Sequence, residues 1–388
     1  MRERKEQETR GSIAAFTEER LIHFAIDRQR QHADYTWFRG EHCNFNPKQK
    51  NLRSARDVTS HVLRGWIPET PLIGPETHIA AFGSCFAQHI SDWLSQRNFS
   101  ILTRKDGDYS SAYVVRFGEG MVNTFALRQQ FEWAFEGRRF EGELWHGYDA
   151  RAFGYDEDVR VATRSVFDQT DLFIITLGLS EVWYDSVTGG VFWRAVPRDK
   201  YDPTRHKFRV SSVDENRENI RAIYRLVRAH RPEAKIIFTL SPIPLVATFR
   251  PVPSITANSV SKAILRAALD EVLRDIQHEG HAYYWPSYEI IMDVFDRQWV
   301  SDRRHVKVAL LDFVMTMFET HWCRGEPRMT PEEAWARARA ATNGLPRALE
   351  KPWIAISGRW ARGRAQIKNR QLAVRPPTST VVGDSNAR

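Results

Sequence analysis

The sequence predicts a three-layer α/β/α sandwich around a central parallel sheet of about five strands. Three observations point there. From residue 77 onward, short apolar runs alternate with helical stretches, the pattern of βαβ units. The run at 171–177 is almost continuously apolar, as a strand covered on both faces is. The runs end in small or polar residues, which suits strands whose carboxyl ends open on a ligand cleft.

The elements follow in order. Residues 1–76 read as an N-terminal extension packed on the main domain. Within it, Leu21, Ile22, Phe24, Ala25 and Ile26 predict a helix over 17–33, and Pro47, Pro68, Pro71 and Pro75 break the stretch over 34–76. The main domain spans 77–325. Its first strand, 79–82, stops at Gly83. A helix over 85–97 carries Ile90, Trp93 and Leu94 at i, i+3 and i+4. Residues 99–103 are the second strand. A turn-rich stretch with Gly107, Gly118 and Gly120 leads to a helix over 124–135. The third strand, 171–177, stops at Gly178. Residues 185–212 form an insertion with a short hairpin, turning at Gly189-Gly190 between Val187 and 191–193. A helix over 214–230 precedes the fourth strand, 234–240, which Ser241-Pro242 stops. A long helix over 258–278 leads to the last strand, 281–285, and a closing helix covers 306–322. Residues 326–388 hold helical stretches at 331–342 and 345–352 and a disordered basic tail.

Composition narrows the partners. Of the net charge of +8, +7 lies in residues 351–388, which hold eight Lys or Arg against the single acid Asp384. The folded body is therefore nearly neutral, and no specific nucleic-acid partner is expected. The tail is either a solvated end or a weak contact for a polyanion or membrane surface. No apolar run approaches the roughly 18 residues of a membrane span. Residues 1–12 are charged and lack the apolar core of a signal peptide. Cys43, Cys85 and Cys323 have no CxxC spacing, which argues against a disulfide framework and a structural zinc and for a reduced, cytoplasmic protein. With no GxxxxGK[ST], GxGxxG or HExxH, nucleotide hydrolysis, dinucleotide binding and a catalytic metal are unsupported.

The chemistry is expected at the strand ends. The first ends in Gly83-Ser84-Cys85, the third in Gly178-Leu179-Ser180-Glu181 and the fourth in Ser241-Pro242; after the fifth comes Ser301-Asp302-Arg303-Arg304-His305. A Cys or Ser at the first of these ends meets the free N–H groups and positive dipole of a helix N-terminus. Both would lower a thiol pKa and stabilise an oxyanion. The bland alternative is a small Cys filling a tight turn. Asp302 and His305 are three apart, so one turn brings them together as an orienting acid and a general base. Alternatively Ser301 or Asp302 caps a helix starting near His305. Arg303 and Arg304 flank the pair and would attract an anionic donor or acceptor, such as a CoA phosphate or an acidic sugar, unless they are plain surface arginines. His89 reads as a surface or half-buried helix residue, and Asn258 and Lys262 as a solvated helix face, with Asn258 alternatively a cap or a substrate contact. Trp183 walls the pocket or belongs to the core.

These residues carry a family resemblance. Phe82-Gly83-Ser84-Cys85-Phe86-Ala87 matches the motif for which the GSCFA family is named. In the same order, segments 176–183 (TLGLSEVW), 239–245 (TLSPIPL), 257–262 (ANSVSK) and 285–289 (WPSYE) resemble it too, and the resemblance covers roughly 60–325. The GSCFA family is similar to the SGNH/GDSL hydrolases, esterases and O-acyltransferases on a flavodoxin-like fold. The resemblance implies that fold here. In the superfamily's Gly-Asp-Ser block the Ser is the nucleophile. Aligned without a gap, that position is Cys85, with Ser84 in the Asp position; a polysaccharide-acetyltransferase family with a Gly-Asn-Cys-Gln motif resembles this arrangement. Cys85 is the favoured nucleophile and Ser84 the alternative.

The superfamily's Gly-x-Asn-Asp block becomes Gly178, Ser180 and Glu181, so the resemblance implies Ser180 as an oxyanion donor. Glu181 is left to orient His305 in place of Asp302, or to anchor its loop. The remaining oxyanion Gly maps to Gly120 or Gly118, with Asn123 nearby. The Pro that commonly follows the His is Val306 here. The implied function is an O-acyl esterase or O-acyltransferase acting on a carbohydrate. Hydrolysis requires no cofactor; a transferase needs an acyl donor such as acyl-CoA. The alternative is a catalytically silent glycan- or protein-binding module on the same fold.

Overall fold

The computed structural model describes residues 21–26, 29–34 and 44–342. Cys43, the stretch over 345–352 and the basic tail lie outside them. The chain begins with an antiparallel hairpin, β1 (Leu21–Ile26) and β2 (Gln29–Asp34), closed by the pairing of Ile26 with Gln29. This corrects the helix expected over 17–33. The apolar run there is only six residues long, and in so short a run helix and strand cannot be told apart by periodicity. A short helix, α1 (Ala55–Val58), follows, capped by the Ser54 hydroxyl.

The sheet is laid down next. After β3 (His78–Phe82) come α2 (Cys85–Ser95), β4 (Ser100–Ile101), α3 (Tyr113–Arg116), α4 (Thr124–Glu136) and α5 (Glu157–Gln169). Then follow β5 (Leu172–Leu177), the hairpin β6 (Glu181–Asp185) and β7 (His206–Val210), α6 (Val213–His230) and β8 (Lys235–Leu240). The chain closes with α7 (Ser254–Ile276), β9 (Ala282–Trp285), α8 (Ser287–Asp293), α9 (Val308–Trp322) and α10 (Pro331–Thr342). Five strands pair in parallel in the order β4-β3-β5-β8-β9. Numbered within the sheet this is 2-1-3-4-5, the doubly wound order of flavodoxin-like folds.

Alternation along the strands builds the two outer layers. Phe173, Ile175 and Leu177 of β5 point into a core with Phe131, Phe167, Ile223 and Leu269 from α4, α5, α6 and α7. Leu172 and Ile174 point the other way, toward Ile90 of α2, Ile290 of α8, Phe318 of α9 and Trp335 of α10. Burying each such side chain stabilises the fold by about 1.5–3 kcal/mol. Val58 and Leu63 join the second core, and Ile73 bridges to Cys323.

Several boundaries differ from expectation. β4 is cut to two residues because Thr103 takes over the ladder with its side chain, accepting from the Ala81 N–H at 3.0 Å. The insertion's ladder is β6 with β7, and Val191 touches it only as a single bridge to Tyr184. α7 begins at Ser254, four residues early. Four helices have no counterpart in the sequence reading: the four-residue α1 and α3, and the longer α5 and α8. α5 buries only Thr163, Val166 and Phe167, so its apolar stripe is thin, although Asp156 caps it through the Val159 N–H.

Candidate active site at the carboxyl ends of the parallel strands

The strand order reverses between β3 and β5, and ligand clefts in open α/β sheets form outside the carboxyl ends of the strands at that crossing. The chain leaves β3 through Gly83. Its φ is +125°, and a Cβ there would collide with the carbonyl oxygen of Thr176 on β5, so glycine is required. The Gly83 N–H donates to the Gly118 carbonyl at 2.8 Å, which pins the Gly118–Gly120 turn against the start of α2.

Ser84 and Cys85 then separate in role. Ser84 is buried and is the N-cap of α2, its hydroxyl accepting from the Phe86 N–H at 3.2 Å and from Thr176 Oγ1 at 2.8 Å. Cys85, the first residue of the helix, is exposed. Protein atoms nevertheless crowd its sulfur. Desolvation is the largest influence and raises the thiol pKa, the Glu119 carboxylate adds to the rise, and Arg304, the local backbone and Arg194 work against it. The net shift is upward, opposite to the expectation from the helix N-terminus, because burial and Glu119 outweigh the two arginines and the local backbone.

The last loop is a tight turn held by Asp302. One carboxylate oxygen accepts from the N–H groups of Arg304 at 2.9 Å and His305 at 3.0 Å; the other meets His305 Nδ1 at 2.5 Å. Burial would raise the Asp302 pKa, but these bonds, led by that to the His305 ring, bring it down to about 2. A carboxylate only accepts, so Nδ1 carries the proton and Nε2 is left as the basic nitrogen. His305 is exposed, and Nε2 has no hydrogen-bond partner among the described residues. Asp302 therefore caps its own turn, not a helix: α9 begins beyond it, at Val308. Cys85 and His305 are not hydrogen-bonded to each other. The turn borders the thiol through Arg304, whose charge acts on it.

The remaining predicted residues hold the frame. Gly178 donates to the Val122 carbonyl at 2.9 Å, and a Cβ there would come 2.7 Å from Val122 Cβ. Asn123 caps α4 through the Ala126 N–H and donates to the carbonyls of Phe192 and Trp193 at 3.3 Å. The Gly120 N–H is committed to the Phe117 carbonyl at 2.8 Å. Ser180 is fully buried; its N–H donates to Ser261 Oγ, and its hydroxyl has no partner. Glu181 accepts from the Thr248 hydroxyl at 3.0 Å and does not pair with His305. Trp183 packs edge-on against Phe249 at 4.9 Å and beside Phe208 and Tyr201.

Sequence reasoning missed four residues. Lys262, expected on a solvated face, is buried. Its ammonium donates to the carbonyls of Gly178 at 2.6 Å, Ser241 at 2.7 Å and Ile243 at 2.8 Å, and burial lowers its pKa to about 7. Asn258, one turn earlier on α7, accepts from the Leu245 N–H. The other three missed residues surround Cys85. Glu119 accepts from the Tyr148 hydroxyl at 3.0 Å, and the Arg194 guanidinium lies 3.6 Å over the Tyr148 ring and against Gly120. No motif marks them; only the folding of the 185–212 insertion onto the Gly118–Gly120 turn brings Arg194 there. His89 is half-buried between Phe86 and Trp93, and burial lowers its pKa to about 4. Among the described residues no three His, Cys, Asp or Glu side chains gather as a metal-ligand set. A cleft of about 540 Å³, lined in part by Trp66, Leu72, His278 and Tyr283, opens beside the edge strand β9 and contains none of the residues around Cys85.

Fold and site together define a doubly wound α/β protein with an open cysteine at the topological crossing and an Asp-His pair on a loop bordering it. The chain belongs to the GSCFA family, whose model matches residues 78–318. No curated protein matches the chain. No helix among the described residues is long and apolar enough to cross a membrane.

Proposed function

We propose that the chain is an acyl-ester enzyme, an O-acyl esterase or O-acyltransferase whose acceptor or substrate is a carbohydrate. The observation that carries this is the Asp302–His305 pair, 2.5 Å apart, with Nε2 free and the loop bordering an exposed Cys85. A thiol with a raised pKa needs a base, and an imidazole fixed by a carboxylate is one. Nε2 takes the Cys85 proton as the sulfur bonds to the acyl carbon. The ester C–O bond then breaks, and the leaving alkoxide receives the proton from Nε2. Water or a sugar hydroxyl, deprotonated by the same nitrogen, attacks the thioester and releases Cys85. In this reading the Cys85 N–H serves the developing oxyanion, because the Phe86 and Ala87 N–H groups are taken by Ser84. Hydrolysis needs no cofactor, and transfer would draw on a donor such as acyl-CoA. The carbohydrate acceptor rests on the similarity to the SGNH hydrolases.

The test is p-nitrophenyl acetate turnover, with and without sugar acceptors, in wild type, Cys85→Ala, Ser84→Ala and His305→Ala. Loss in Cys85→Ala and His305→Ala, with an acetyl adduct on Cys85 seen by mass spectrometry, supports the reading. Turnover unchanged in all three variants, or absent from the wild type on every ester tried, overturns it in favour of a binding module.

A further inference from the structure

Two arginines beside Cys85 lack the partners that guanidinium groups ordinarily have. Arg194 Nη2 and Arg304 Nε are both buried and make no hydrogen bond. Neither arginine is ion-paired with a carboxylate among the described residues. A buried charged donor left unpaired costs stability, and an arriving acceptor would relieve that cost.

They come from unrelated segments. The Gly83–Gly118 hydrogen bond fixes the Gly118–Gly120 turn beside the start of α2, and Arg194 lies on Gly120, held over the Tyr148 ring. Asn123 fixes the backbone just before it by donating to Phe192 and Trp193. Arg304 is carried by the turn that Asp302 closes. The two acids close by are already engaged: Glu119 by the Tyr148 hydroxyl at 3.0 Å and by Lys105 at 3.4 Å, and Asp302 by the backbone of its own turn and the His305 ring. Both arginines act electrostatically on the Cys85 thiol, each favouring its charged form.

We propose that Arg194 and Arg304 form an anion-binding subsite next to Cys85, so that the substrate carries a carboxylate or phosphate close to its acyl group. This deepens the Cys85-centred reading above and rests on it for the word substrate. Guanidinium groups suit either anion, through paired N–H donors in a fixed plane.

Alkylation of the full-length chain tests this without requiring turnover. The same thiolate attacks iodoacetate and iodoacetamide, displacing iodide from each, and the two reagents differ in charge, so the ratio of the iodoacetate rate to the iodoacetamide rate at Cys85, read by peptide mass mapping, reports the local field and not the thiolate fraction. The ratio is expected to exceed that of free glutathione by about tenfold in wild type. It should fall severalfold in Arg194→Gln and in Arg304→Gln, and survive in part in Arg194→Lys, which keeps the charge if the Gln variant folds poorly. Acetate and inorganic phosphate should slow the reaction in wild type, and the stronger protector identifies the anion. A wild-type ratio equal to that of glutathione, a ratio unchanged in both Gln variants, or protection by neither ion overturns the proposal. A chain with no esterase turnover can still pass, and an active esterase can fail, so the two readings stand or fall separately.

Discussion

Cys85 and Lys262 both serve the carboxyl ends of the parallel strands, and both have pKa values moved from the ordinary, yet they differ in what the fold has done with them. Burial lowers the Lys262 ammonium to about 7, and three backbone carbonyls occupy its donors. Its three contacts tie the chain leaving β5 to the chain leaving β8. Cys85 is exposed at a helix start, with two unpaired arginines and an exposed histidine loop around it. A shifted pKa alone would mark both as functional. The difference is satisfaction: Lys262 has every donor used inside the protein and positions the loops, whereas the groups around Cys85 keep capacity for something that arrives.

That contrast can be broken in four ways. The largest effect is expected from Cys85→Ala, which should reduce ester turnover by about 10³-fold or more while leaving the melting temperature near wild type. Lys262→Met should do the reverse. Leaving three buried carbonyls without their donor is expected to cost about 2–4 kcal/mol in denaturant unfolding, with thiol alkylation at Cys85 still detectable in the folded fraction. A pH signature separates this from simple cavity formation. The folded Lys262 pKa, about 7, lies below the unfolded value, so between the two the unfolded state binds more protons and wild-type stability rises with pH. Lys262→Met lacks this contribution, and the stability gap between the two proteins should widen from pH 7 upward. A gap that narrows would show that the lysine is not buried as described.

Asp302→Asn should lower turnover by about 10²-fold through loss of the fixed imidazole tautomer, with substrate KM little changed. Because the Asp302 pKa is depressed to about 2, wild-type activity should show no titration of this carboxylate between pH 4 and 8. The smallest effect belongs to Glu119→Gln. Its charge helps raise the thiol pKa, so its removal should speed iodoacetamide alkylation of Cys85 at pH 7 by a few-fold. A slower reaction would mean that Glu119 acts through Tyr148 packing instead.

Much of the frame was legible because it rests on local periodicity. The alternation of runs marks β3, β5, β8 and β9, and a strand that must be covered on both faces advertises itself by composition, as 171–177 does. The motif order placed Cys85, Asp302 and His305 on loops at one edge. Elements whose burial is thin or whose pairing is non-local were not legible. α5 hides three side chains, β1 and β2 form from a run too short to have a period, and β6 pairs with a strand 25 residues on. Side-chain roles failed in the same way. Asn258 and Lys262 share a helix face, but only the arrival of the loops after β5 and β8 makes that face an interior.

The sequence by itself determined the parallel α/β class, the strand ends that carry the motif residues and the pairing of Asp302 with His305, because each depends on residues a few positions apart. Tertiary structure alone decided which of Ser84 and Cys85 is buried, since Thr176 of a neighbouring strand takes the Ser84 hydroxyl. It also decided that the Gly120 N–H and the Glu181 carboxylate are engaged elsewhere, and that Arg194 stands beside the thiol. Those outcomes are set by contacts between segments far apart in the chain, where solvent is excluded and each polar group must find whichever partner the packing brings.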